Sequence, residues 1–188
     1  MSFFNLHTAE TAPDGSRKEL QSVQEKYGFV PNIYGIFAES PSVIKAYMAL
    51  TDLLNEGSFS LAEQQLMLLT NSTINGCEYC VAAHTMVGKM AHLDDIVIEA
   101  VRTGVPIPDK KMAALHNFTK QIVEKRGWIE KQEIDTFLEA GFSKAQVLEV
   151  VLATSIKTLS NYINHMADTP LDEAMQPFAW RAPKSKVA

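Results

Sequence analysis

The stretch that most limits what this chain can fold into is its longest apolar segment, residues 147 to about 165. Its Val, Leu, Ile and Thr content suits a strand, but its length does not. Ser143-Lys144-Ala145-Gln146, just ahead of it, is a capping box, in which a serine hydroxyl and a side chain three residues later satisfy each other's free backbone N–H groups. The segment therefore reads as a long buried helix. A second capping box, Ser60-Leu61-Ala62-Glu63, opens another helix, residues 61–74, with Leu66, Leu69 and Thr73 at core spacing. Elsewhere apolar residues recur at helical spacing between Gly and Pro breaks. Residues 16–27 place Leu20, Val23 and Tyr27 on one face. Residues 109–125 turn Met112, Leu115, Phe118, Ile122 and Val123 inward. Shorter helices are expected over 42–55, 94–102 and 130–140, and residues 33–38 form a short apolar stretch. No stretch alternates polar and apolar over several residues, so no strand is expected. The fold class is all-α, a single helical domain over residues 1–188 with its core at about 15–170.

Composition narrows the partners. The net charge is −5, and no basic patch carries interleaved aromatics, which argues against nucleic acid. Met1-Ser2-Phe3-Phe4-Asn5-Leu6-His7 lacks the cationic start and apolar run of a secretion signal. No apolar run approaches the roughly 20 residues needed to span a bilayer. A cytoplasmic protein without membrane contact is expected, in a compartment where a cysteine pair is kept mostly reduced.

Both cysteines of the chain lie in Asn75-Gly76-Cys77-Glu78-Tyr79-Cys80-Val81-Ala82-Ala83-His84. Gly76 reads as a break and the residues after it as a helix running to about Met90. Cys77 is then expected in the first turn and Cys80 one turn on. Cys77, Cys80 and His84 fall within about 60° of each other on that helix. Thiols one turn apart can close a disulfide. Helix-start N–H groups stabilise a thiolate, and an imidazole at i+4 from Cys80 can take or return its proton. The pair suits dithiol redox chemistry. It also suits half of a zinc site completed by His84 and a distant His165, or two small buried hydrophobes.

This segment resembles the core of the alkylhydroperoxidase D / carboxymuconolactone decarboxylase family. So do Ser60-Leu61-Ala62-Glu63-Gln64-Gln65 and the helix they open, Val30-Pro31-Asn32-Ile33-Tyr34, and the run from Ala140 to His165. The resemblance implies an all-helical fold, homotrimers or homohexamers, and an antioxidant oxidoreductase of peroxidase type. It implies no cofactor and no metal. Its substrate would be a small peroxide and its reductant an external dithiol or disulfide reductase. By the same resemblance Cys80 attacks the peroxide, Cys77 resolves it and His84 relays protons. The helix-dipole argument instead favours Cys77 as the more acidic thiol, because it lies nearer the helix start.

Two positions depart from the family's pattern. A relay glutamate twelve residues before the first cysteine is Gln65 here, which can orient His84 but not accept a proton. A histidine before the second cysteine is Tyr79, a hydrogen-bond donor that does not shuttle protons at neutral pH. Glu63 is close in sequence but about 160° away round its helix, and it has a capping role. His165 sits in the later matching helix as a pocket candidate. The alternatives to a peroxidase are a carboxymuconolactone decarboxylase-like enzyme, which needs no cysteine pair, and a non-redox metal-binding scaffold.

Overall fold

A computed structural model describes residues 3–183. Among the described residues nine α-helices follow one another: α1 Asp14–Tyr27, α2 Asn32–Phe37, α3 Pro41–Asn55, α4 Leu61–Ile74, α5 Glu78–Met90, α6 Asp95–Thr103, α7 Lys110–Glu124, α8 Lys131–Glu139 and α9 Lys144–Ala167. A 3-10 helix, Glu173–Phe178, comes last. Among the described residues there is no strand. The expected helices are all present, with ends shifted by at most three residues, and the short apolar stretch at 33–38 forms α2. The apolar segment that opened the sequence reading is α9, whose Ser143–Gln146 capping box is fully formed.

α4 is the centre. It packs against α5, α6, α7 and α9, and Glu63, Gln64 and every residue from Leu66 to Thr73 are buried. A helix this enclosed leaves its buried polar side chains few partners beyond its own backbone, and three of them use it. Asn71 Nδ2 donates to the Met67 carbonyl at 2.8 Å, Ser72 Oγ to the Leu68 carbonyl at 2.7 Å, and Thr73 Oγ1 to the Thr70 carbonyl at 2.9 Å. Leu66 and Leu69 are fully enclosed; each contributes about 1.5–3 kcal/mol of apolar burial.

Gly76 makes the turn from α4 into α5. Its φ of 69° is left-handed, where a side chain is strained. That turn lets the Cys77 N–H reach back to the Ser72 carbonyl at 2.9 Å. Cys77 is therefore the N-cap residue of α5, with extended backbone, and lies just outside the first turn in which it was expected. Cys80 occupies the third helical position.

The chain's last described stretch straps across α5 and α6. The Arg102 guanidinium donates to the carbonyls of Phe178 and Ala179 at 3.1 and 3.2 Å, and the Trp180 indole donates to the Arg102 carbonyl at 3.0 Å. Lys184 to Ala188, expected to fray, lie outside the described residues. Among the described residues no helix is long and apolar enough to cross a membrane.

Candidate active site

α5 presents Cys80 and His84 to the face of α9 that carries Lys157, Asn161 and Asn164. These three are spaced i, i+4, i+7, one polar stripe on the inner side of α9, and all are buried. Cys77 and Cys80 are free thiols, each only 1% exposed. The Asn164 amide Nδ2 donates to Cys80 Sγ at 3.1 Å and lies 3.9 Å from Cys77 Sγ.

The two thiols differ sharply in acidity. Burial pushes the Cys80 thiol up. The hydrogen bond from Cys77, the charge of Lys157, and hydrogen bonds from Asn164 and Lys157 together outweigh burial and bring it down to about 5. Cys77 moves the other way: its thiol is held protonated by donating to the Cys80 sulfur and by burial. The helix-dipole expectation for Cys77 is thus reversed. A lysine charge and an amide from another helix outweigh the distance from the helix start.

His84 is held at both ring nitrogens. Nε2 lies 2.8 Å from Lys157 Nζ and Nδ1 lies 2.9 Å from Gln65 Oε1. An ammonium only donates, so Nε2 accepts, and the ring hydrogen sits on Nδ1 and donates to the glutamine oxygen. Burial and the Lys157 charge hold His84 well below the usual histidine range, so the ring is neutral. Gln65 orients the ring, as expected. The expected direct proton contact between His84 and Cys80 is replaced by an intervening Lys157.

Two other candidates stand apart from the thiols. Tyr79 turns its hydroxyl to Asp172, donating to Oδ2 at 2.5 Å and accepting from the Ile33 N–H at 3.3 Å. The same carboxylate accepts the Asn32 N–H at 3.0 Å. Burial and the Asp172 carboxylate both push the Tyr79 phenol up, so it stays protonated as an anchor between α2, α5 and the C-terminal strap. Glu63 is fully committed elsewhere: Oε2 accepts from the Ser60 N–H and hydroxyl at 2.9 Å each, and Oε1 from Lys111 Nζ at 2.8 Å. Neither donates to a sulfur, because each is consumed by a structural partner.

His165 is exposed on the rim of a groove of about 800 Å³ that reaches Cys77 and is walled by Asn164, Thr169, Leu171 and Trp180. Cys80 is not part of the groove wall. Asn164 Oδ1 and Thr169 Oγ1 are buried there without a partner. Among the described residues no three His, Cys, Asp or Glu side chains gather into a metal site, and an ammonium on His84 Nε2 occupies the lone pair that a Cys2His2 ion would use. Lys157, Asn164 and Asp172 were not singled out from sequence. The signal for the first two was present: a lone cation inside an apolar run, with asparagines four and seven residues further on.

Residues 41–118 match the model of the carboxymuconolactone decarboxylase family. Among curated proteins none matches the chain. Three solved structures share its fold. The alkylhydroperoxidase AhpD core of an uncharacterized peroxidase-related protein from Ralstonia eutropha JMP134 superposes with a TM-score of 0.82 at 23% identity, covering 93% of this chain and 94% of that one. A peroxidase-related protein from Silicibacter sp. TM1040 has a TM-score of 0.77 at 21% identity, covering 93% of each. The debrominase Bmp8, solved with 2,3,4-tribromopyrrole, has a TM-score of 0.77 at 14% identity, covering 95% of this chain and 96% of that one. At these identities the likeness speaks for the fold. The segment that matches the family model contains the cysteine pair and His84, and the whole chain takes an alkylhydroperoxidase D-like fold.

Proposed function

We propose that this protein is a thiol-dependent peroxidase that reduces small hydroperoxides through Cys77 and Cys80. One observation carries the reading. The two thiols are buried together under one amide, Asn164 Nδ2 lying 3.1 Å from Cys80 Sγ and 3.9 Å from Cys77 Sγ, and their surroundings pull Cys80 toward the thiolate while Cys77 is held as the thiol. The Cys80 thiolate attacks the peroxide and becomes a sulfenic acid, and Cys77 converts it to a disulfide. An external dithiol then restores the pair by exchange. Decarboxylase chemistry, which the resemblance also implies, has no use for a thiol activated in this way. The reading includes a cytoplasmic, antioxidant setting, and a homotrimer or homohexamer. The exposed apolar residues Leu148, Val151, Tyr162 and Met166 on the outer side of α9 support assembly.

The test is a thiol count with mass spectrometry. One equivalent of peroxide should remove both thiols and leave an intramolecular disulfide that a dithiol reverses. Two free thiols after treatment would overturn the reading. A sedimentation mass of 20.9 kDa at micromolar concentration would overturn the oligomer.

A further inference from the structure

We propose that Lys157 is a catalytic residue, the proton donor and acceptor beside the reacting sulfur, and that His84 positions it. The proposal rests on the peroxidase reading above and adds a group that the reading does not need.

Lys157 is 1% exposed. A buried ammonium costs several kcal/mol unless an anion and hydrogen-bond acceptors meet it. Among the described residues no carboxylate pairs with it; the groups its charge acts on are Cys77, Cys80 and His84, all on or capping α5. His84 Nε2 accepts one of its three N–H bonds at 2.8 Å, and the Cys80 sulfur accepts another. Gln65 fixes the ring that fixes the ammonium. The neutral ring, already donating from Nδ1, has no acidic proton to offer at Nε2. The transferable protons at the sulfur are therefore those of Lys157 and of the Cys77 thiol, and Cys77 keeps its own until it attacks in the resolving step.

The bookkeeping closes. The Cys80 thiolate forms an S–O bond to the terminal oxygen of ROOH. The O–O bond breaks and its electron pair leaves on RO⁻. A Lys157 proton passes to RO⁻, giving ROH, the Cys80 sulfenic acid and a neutral amine. That amine takes the Cys77 thiol proton as Cys77 Sγ attacks Cys80 Sγ. The S–O bond breaks, and hydroxide leaves with the same proton as water. A dithiol reducing the disulfide returns two protons, one to Cys77 and one to Lys157, and Cys80 departs as the thiolate.

The test compares reduced full-length protein with Lys157→Met and Lys157→Arg in two assays. Iodoacetamide alkylation against pH reads the Cys80 charge without any peroxide. Lys157→Met should lower the rate at pH 7 by about 30-fold, the change expected if the thiol returns from about 5 to an ordinary thiol value. Lys157→Arg should stay within about threefold, because the charge is kept. Single-turnover oxidation by hydroperoxides of rising alcohol pKa, at a pH where each variant's Cys80 is ionised, reads the proton. Wild type should be nearly flat across the series. Lys157→Arg, which cannot give up a proton, should fall steeply and lose about 10²-fold or more with the poorest leaving group. If Lys157→Met does not fold, Lys157→Arg alone decides. An arginine variant that follows wild type across the series overturns the proton-donor role while leaving the peroxidase reading intact. A wild type that alkylates as described but is oxidised by no peroxide overturns both.

Discussion

The starts of α4 and α5 are built to the same plan and come to opposite ends. Each helix carries an ionisable residue at its third position, Glu63 in one and Cys80 in the other, and each anion meets a lysine from a distant helix. At α4 the anion is used up by the backbone it caps: Ser60 supplies a backbone N–H and a hydroxyl, and Lys111, half exposed, supplies the cation. At α5 the N-cap side chain bonds no helix N–H. Cys77 spends its hydrogen on Cys80, and the remaining donors are an amide and a buried ammonium. The same physics of an anion near a helix start gives a closed structural clasp when the donors are backbone groups. It gives a reactive centre when the donors are side chains whose protons can leave.

The sharpest way to break this comparison is to remove each anion. Cys80→Ser should abolish peroxide-driven thiol loss. Glu63→Gln should keep the rate within about twofold and lower stability by about 1–3 kcal/mol, read by denaturant unfolding. An inactive Glu63→Gln that is fully folded would contradict the separation.

The two ends should also differ in where pH acts. Both folded pKa values are depressed, so each contribution is present above the group's unfolded pKa and lost as pH falls through the folded one. For Glu63 the loss begins only below the usual carboxylate range. For Cys80 it runs from about 8.5, the ordinary thiol value, down to about 5. Cys77 has a raised folded pKa, so its contribution is complete below about 8.5 and is lost above it. Unfolding of the reduced protein should therefore show a stability maximum near pH 8, with a slope of at most about 1.4 kcal/mol per pH unit down to about pH 6.5, below which His84, kept neutral in the fold, adds a loss of its own. The disulfide form should show no such slope between about pH 6.5 and 8.

Asn164→Ala probes a smaller share of the same centre. Losing one amide donor to Cys80 Sγ should slow iodoacetamide alkylation at pH 5 by about two- to sixfold, the equivalent of one hydrogen bond. The smallest effect is expected at α4. Lys111→Met removes a half-exposed cation and should change stability by about 0.2–1 kcal/mol while leaving thiol reactivity unaltered.

Much of the fold was readable because helices obey rules of short range. Caps, glycine stops and three-to-four-residue spacing act within a turn or two, and Ser60–Glu63 and Ser143–Gln146 form the boxes their sequences predict. Of the site, the cysteine pair, His84 and the Gln65 contact were legible in the same local terms or through the resemblance. Tyr79 was read as a hydrogen-bond donor, but its acceptor, Asp172, is 93 residues away and beyond the reach of local spacing. Cys77 was placed one step too far into its helix because the Gly76 turn carries its N–H back to Ser72.

By itself, then, the sequence determined the all-helical class, the order of the helices and the presence of a thiol pair at a helix start. Only the tertiary structure decided which thiol carries the charge. That choice depends on Lys157 and Asn164, brought to α5 from 73 and 84 residues away. Charge and hydrogen bonding in a buried site depend on distance in space, and chain spacing reports such distances only within a helix turn or two.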